Sequence, residues 1–158
     1  MRNLSRLAVG VCLLLLSGCG LSIPTDPDGT LERVAGGTLR VGVTANDRWV
    51  ETVSDGDPQG IEPDLVRAFA TTIDADIQWV EGSEHDLAES VEQGDLDLAI
   101  GGFLDDTPWS SHAGVTRSYI ESVNEKGKTV RHVMLVPMGE NAFLLELDRF
   151  LLEQEVSP

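Results

Sequence analysis

Cysteine is almost missing from this chain. Its 158 residues hold two, Cys12 and Cys19, both near the start. The rest of the sequence has no thiol for a disulfide, a thiolate metal site or a cysteine nucleophile, so the fold must rest on its apolar core. Basic residues are scarce as well: 11 Lys and Arg face 27 Asp and Glu, a formal net charge of −16. Such a surface repels phosphate backbones and anionic headgroups, which argues against nucleic acid as a partner. No apolar run reaches the roughly 20 residues of a membrane-spanning helix. Motifs of catalysis are missing too. His85, His112 and His132 are isolated, with neither HExxH nor Cys-His spacing, and read as surface or packing residues. There is no Gly-x-Ser-x-Gly elbow and no glycine-rich loop placed to cradle phosphate. No catalytic residue, metal site or cofactor is therefore expected.

What is present begins at the N-terminus. Arg2 and Arg6 precede an apolar run from Leu7 to Leu16, followed by Ser17, Gly18 and Cys19. A basic start, a short hydrophobic stretch and small residues before a cut make a secretory signal peptide over residues 1–18. Leu16-Ser17-Gly18-Cys19 resembles a bacterial lipobox, which implies that the Cys19 thiol is acylated and the chain is cut before it. Residues 19–36, broken by Pro24 and Pro27, then read as a flexible tether. Residues 37–158 are long enough for one ordinary domain. The expected location is the outer face of a bacterial cell membrane, held by lipid.

Within that domain Leu39 to Val43 alternates as a strand does. A turn-rich loop around Asp55-Gly56-Asp57-Pro58 leads to a helix, with Pro63 in its first turn and Glu62 and Asp64 suited to its dipole. Leu65, Phe69 and Ile73 make its apolar stripe. Ile77 to Val80 reads as a second strand. Ser83 with Asp86 predicts a capped helix that turns Leu87, Ala88 and Val91 to the core and ends at Gly94. Leu96 to Ile100 reads as a third strand, and Asp95 and Asp97 follow its alternation on an exposed face. Strand, helix, strand, helix, strand predicts a mostly parallel sheet flanked by helices, an α/β architecture. Val123 to Lys128 reads as a tight polar turn, His132 to Val136 as a further strand, and Asn141 as the cap of a last helix.

Five segments, in order, resemble the family 3 extracellular solute-binding proteins of bacterial ABC importers. They are Gly37-Thr38-Leu39-Arg40-Val41-Gly42-Val43, Gly60-Ile61-Glu62-Pro63-Asp64-Leu65, Gly94-Asp95-Leu96-Asp97-Leu98-Ala99, Thr107-Pro108 and Arg117-Ser118-Tyr119. The resemblance implies a periplasmic-binding-protein-like fold, built in the family from two lobes that close on a ligand. Here only about ten polar residues occupy the place of the second lobe, so a single lobe is expected. It also implies a small polar solute as ligand and an ABC-transporter permease as a possible partner.

Ligands of open parallel sheets gather at the carboxyl ends of the strands. The candidate residues are Asn46, Trp49, Gly101, Gly102, Phe103, Asp105, Asp106, Thr107 and Trp109. By resemblance Trp49, or less directly Asn46, would stack on the ligand; alternatively Trp49 covers the sheet edge. Gly101 and Gly102 admit a ligand to the backbone or merely permit a turn. Amino-acid-binding members carry an arginine soon after the threonine, as a carboxylate clamp; here Trp109 or Ser110 stands in its place. Asp105 and Asp106 suit a cation or amine, or else are solvated capping residues. Two other readings remain open. One is an interaction lipoprotein that docks a protein on an apolar face made by Trp49, Phe103 and Trp109. The other is a dehydratase-like enzyme of the same fold, disfavoured because one open lobe cannot exclude water.

Overall fold

The computed structural model of the protein describes residues 26–54 and 56–156. The expected signal peptide over residues 1–18 and the expected lipidation site at Cys19 lie outside the described residues. The chain forms α1 (Thr30–Val34), β1 (Thr38–Val43), β2 (Glu51–Val53), β3 (Gly56–Gln59), α2 (Ile61–Thr72), β4 (Asp76–Glu81), α3 (Glu84–Glu92) and β5 (Leu98–Ile100). A 3-10 turn (Pro108–Ser111) follows, then β6 (Gly114–Val115), β7 (Ile120–Val123), β8 (Thr129–His132), β9 (Leu135–Val136) and α4 (Asn141–Leu152). No described helix is long and apolar enough to cross a membrane.

The main sheet has the order β4-β1-β5-β9-β6. Its first half is parallel, β1 pairing with both β4 and β5, as the strand-helix-strand alternation predicts. Its second half is antiparallel, because the chain returns from the β7–β8 hairpin without a crossover helix. The sheet is therefore mixed, with its parallel half built by β4, β1 and β5. Two apolar clusters cover its faces. Phe69 of α2 meets Phe143 and Phe150 of α4 at ring distances of 6.0 and 5.5 Å on one side. Leu87, Ala88 and Val91 of α3 pack with Ala99, Phe103 and Leu135 on the other.

Residues 26–36, which the sequence reading places in the flexible tether, are packed into the domain. Thr30 and Val34 of α1 are buried. Asp26 accepts the Leu31 and Phe143 amides at 2.6 and 3.2 Å, while the buried Glu140 accepts those of Asp28 and Thr30, both at 3.0 Å. Two acids thus seat α1 against the start of α4, so from Asp26 onward the chain belongs to the domain. Glu140, not Asn141, occupies the N-cap position of α4.

Asp97 is a second difference. It is fully buried, not on an exposed face. One carboxylate oxygen takes Arg33 and Arg40 side-chain donors, both at 2.6 Å, and the other takes the Arg40 amide at 2.9 Å. Period-2 alternation predicts an exposed face only where one side of a sheet meets water, and here both sides are covered. The expected strand over 132–136 is also split. His132 pairs with Ile120 in the hairpin, whereas Leu135 pairs with Ala99 in the main sheet.

The turn at Asn124–Lys128 closes tightly. The Asn124 amide donates to the Lys128 carbonyl at 3.0 Å, and the Asn124 side chain accepts the Lys126 and Lys128 amides. The hairpin thus returns the chain directly to the main sheet, at the place where the family resemblance puts the second lobe.

Candidate functional site

β1 and β5 end side by side, and the loops that leave them form a shallow cleft. The β5 loop starts with Gly101 and Gly102, the latter at φ 69, in the region that L side chains avoid. Asn46, from the β1 loop, donates its amide to the Gly101 carbonyl at 2.7 Å. Asn46, Glu84, Gly102, Phe103, Leu104, Asp106, Thr107 and Pro108 line a depression of about 300 Å³. Glu84 lies in the first turn of α3 and accepts a 3.3 Å hydrogen bond from the Trp109 indole. Two carboxylates, Glu84 and Asp106, line the cleft, and no Lys or Arg does.

Of the nine candidate residues, the cleft gathers Asn46, Gly102, Phe103, Asp106 and Thr107, with Gly101 directly behind. The other three lie elsewhere. Trp49 is 6% exposed and stacks on His132 of the hairpin at 3.8 Å, so its ring covers the sheet and is not presented to solvent. Asp105 turns to the hairpin, where it accepts from Arg131 at 2.7 Å. Trp109 lines a neighbouring groove with His85, Glu89, Glu92 and His112. Burial of Trp49 and Phe103 also removes the apolar docking face proposed above.

Glu62, suited by its sequence position to the dipole of α2, is fully buried beneath the cleft. One of its carboxylate oxygens accepts the Gly101 and Gly102 amides at 2.7 and 2.9 Å. The other accepts the Tyr119 hydroxyl. Burial pushes the Glu62 carboxyl up to about 7, against the opposing pull of the Tyr119, Gly102 and Gly101 hydrogen bonds. Burial and the Glu62 charge together push Tyr119 far above its ordinary range, so its hydroxyl stays a donor. His132 is buried as well, with Nε2 at 2.8 Å from the Ser122 hydroxyl, and burial lowers its pKa. A sequence signal for Glu62 did exist: it stands at i in the i, i+3, i+4, i+7 row with Leu65, Val66 and Phe69, the buried face of α2.

Such a cleft offers backbone and amide groups, one aromatic edge and two carboxylates, open on one side. It is suited to reversible binding of a small polar molecule. Among the described residues no group of three His, Cys, Asp or Glu could hold a metal ion.

Comparison with known proteins gives the family and the fold. The sequence pattern of the bacterial extracellular solute-binding proteins, family 3, matches residues 39–155. No curated protein matches. Among solved structures, the arginine-bound form of domain 1 from TmArgBP has a TM-score of 0.65 at 18% identity, covering 74% of this chain and 93% of that one. An ancestral cationic amino acid solute-binding protein has a TM-score of 0.65 at 13% identity, covering 80% and 92%. An ancestral cyclohexadienyl dehydratase has a TM-score of 0.51 at 18% identity, covering 65% of this chain and 41% of that one. At these identities the likeness is one of fold, the single domain of a periplasmic-binding-protein-like architecture.

Proposed function

The chain belongs to the bacterial extracellular solute-binding proteins, family 3, and from that premise we propose a one-lobe binding module whose strand-end cleft takes a small organic cation. The observation that carries the reading is the lining of the cleft: Glu84 and Asp106 without any basic side chain. A primary amine or guanidinium set between them gains charge-assisted hydrogen bonds, while a carboxylate meets repulsion and no clamp. That domain 1 from TmArgBP is described in an arginine-bound form supports binding by one lobe alone. Cys19 carries the lipid, and the short segment before Asp26 links it to the domain on the extracytoplasmic side. Family membership supports delivery of the solute to an ABC-transporter permease as the role of the module. The open cleft exchanges solute with solvent, which suits capture and release rather than a reaction.

Agmatine tests this directly, because it is arginine without the carboxylate. Agmatine and putrescine are expected to raise Tm, L-arginine to do so less, and L-glutamate not at all. A ligand at 100 times Kd stabilises by about 2.7 kcal/mol, a shift of several degrees for a domain of this size. Glu84→Gln with Asp106→Asn should weaken agmatine about tenfold, as expected for losing charge-assisted contacts at a partly open site. A glutamate shift larger than that of agmatine would overturn the cation reading.

A further inference from the structure

We propose that Glu62 is the positioning residue of the binding loop, and that the charge on this one buried carboxylate sets the affinity of the cleft. The inference rests on the cleft being the binding site, but its structural part stands without a ligand. Gly101 and Gly102 bring no side chains to fix their own backbone. Two contacts hold it from outside: the Asn46 amide on the Gly101 carbonyl, and Glu62 on both amide hydrogens. Glu62 is itself fixed, at the first turn of α2, where its amide donates to the Trp49 carbonyl at 3.1 Å. Glu62 thus joins α2, the β5 loop and the segment leading into β7 through its carboxylate, and the β1 loop through its amide.

Protonation changes that junction in a definite way. An ionised carboxylate accepts all three donors at once. The neutral acid binds the two amides without charge assistance, which roughly halves such bonds. A proton on the oxygen facing Tyr119 also opposes the hydroxyl hydrogen, and only one of the two can lie between the oxygens. The hold on Gly101, Gly102 and Tyr119 therefore loosens together. No Lys or Arg side chain pairs with Glu62 among the described residues. The other ionisable groups on the surrounding elements are Arg48, beside Trp49 on the β1 loop, and His132 of the hairpin, which stacks on Trp49 and approaches the Gly102 backbone. Neither is hydrogen-bonded to Glu62.

If agmatine binds only the ionised form, a midpoint near 7 makes its Kd about tenfold weaker at pH 6 than at pH 8. Agmatine keeps both positive charges across that range, so the change belongs to the protein. The stability sign runs the other way. A carboxyl raised from 4.5 to about 7 holds a proton in the folded state that the unfolded chain has lost, so its contribution to stability falls as pH rises through that window. Glu62→Gln lacks this loss, and its Tm should gain on the wild type between pH 5 and pH 8.

The experiment is an NMR titration of the purified protein, followed by agmatine affinity at pH 8 and pH 6. The Gly101 and Gly102 amide signals are expected to move together with a midpoint near 7, to stay still in Glu62→Gln, and to titrate normally in His132→Asn. Agmatine affinity should follow the same pattern, with Glu62→Gln flat across pH. Amides that do not titrate, that titrate unchanged in Glu62→Gln, or that lose their titration in His132→Asn overturn the proposal. So does a wild-type Kd independent of pH. Failure of agmatine to bind at either pH sinks the cation reading instead, and the amide titration alone then decides the role of Glu62.

Discussion

Asp97→Ala is expected to destabilise the fold by about 3–5 kcal/mol, the range for removing one member of a buried ion pair. The Asp97 side chain is wholly inaccessible, while those of Arg33 and Arg40 are 42% and 29% exposed. After truncation both guanidinium groups can turn to water, which places the effect toward the lower end of the range. The Arg40 backbone amide has no such escape, since it loses the 2.9 Å acceptor inside the sheet. Burial alone would push the Asp97 carboxyl up, but hydrogen bonds from Arg40 and Arg33 outweigh it and hold the group below its usual range. Its stabilisation is therefore complete above the carboxylate range and is lost as pH falls through the lowered pKa. Urea unfolding at pH 7 and pH 3 checks both parts, since the gap between wild type and variant should narrow in acid. A cost under about 1 kcal/mol at pH 7 would mean that the two arginines add no more than an exposed pair does.

Asp97 also marks where reading the sequence reached its limit. Alternation along Leu96-Asp97-Leu98 assigns the acid to the face opposite both apolar neighbours, yet Leu96 and Leu98 pack in the clusters on different sides of the sheet. Whether the opposite face meets water is not a local property. It depends on α1 lying across the start of β1, which brings Arg33 to Asp97. The helix α1 was itself illegible for a related reason. Its five residues are too few to show a period or to stand alone, and it is held by Asp26 and by Glu140, the latter 110 residues further on. By contrast, α2, α3 and the β1-α2-β4-α3-β5 order were legible, because caps, apolar stripes and strand alternation are set a few residues apart, even though the strands then pair at long range. Ser83, for example, accepts the Asp86 amide at 3.3 Å as the capping pattern requires.

The site divides in the same way. The strand-end rule brought Asn46, Gly102, Phe103, Asp106 and Thr107 to one place from sequence order alone. For Asp105 and Trp49 the hairpin decides the surroundings, through Arg131 and His132, and of the two readings open for Trp49 the structure takes the one in which its ring covers the sheet. In the resemblance, Trp49 faces a ligand between two lobes; with a hairpin in place of the second lobe, the ring takes an internal partner. Glu62 was missed since a charge near a helix start already has an ordinary explanation in the dipole. Its place on the buried stripe was the stronger clue.

Gly102→Ala should cost about 3 kcal/mol, and Gly94→Ala about 1 kcal/mol, although the two glycines have nearly the same backbone. Gly102 lies at φ 69 and Gly94 at φ 76, so each alanine carries a similar left-handed penalty of about 1 kcal/mol. Gly94 has open space where a Cβ would go, so backbone strain is its whole effect. At Gly102 the Cβ would stand 2.6 Å from the Asn46 side-chain nitrogen and 3.0 Å from Trp49 Cδ1. Trp49 is pinned against His132, so Asn46 must yield. Doing so gives up its bond to the Gly101 carbonyl, worth about 1 kcal/mol, and forces strained rotamers for about 1 kcal/mol more. The displaced Asn46 also moves into the cleft, where agmatine affinity should fall by more than tenfold. Equal losses for the two variants in urea unfolding would show that Asn46 moves aside freely and that its contact with Gly101 does not shape the loop. A full gap of about 2 kcal/mol with agmatine binding unchanged would keep the packing argument and remove Asn46 from the binding surface.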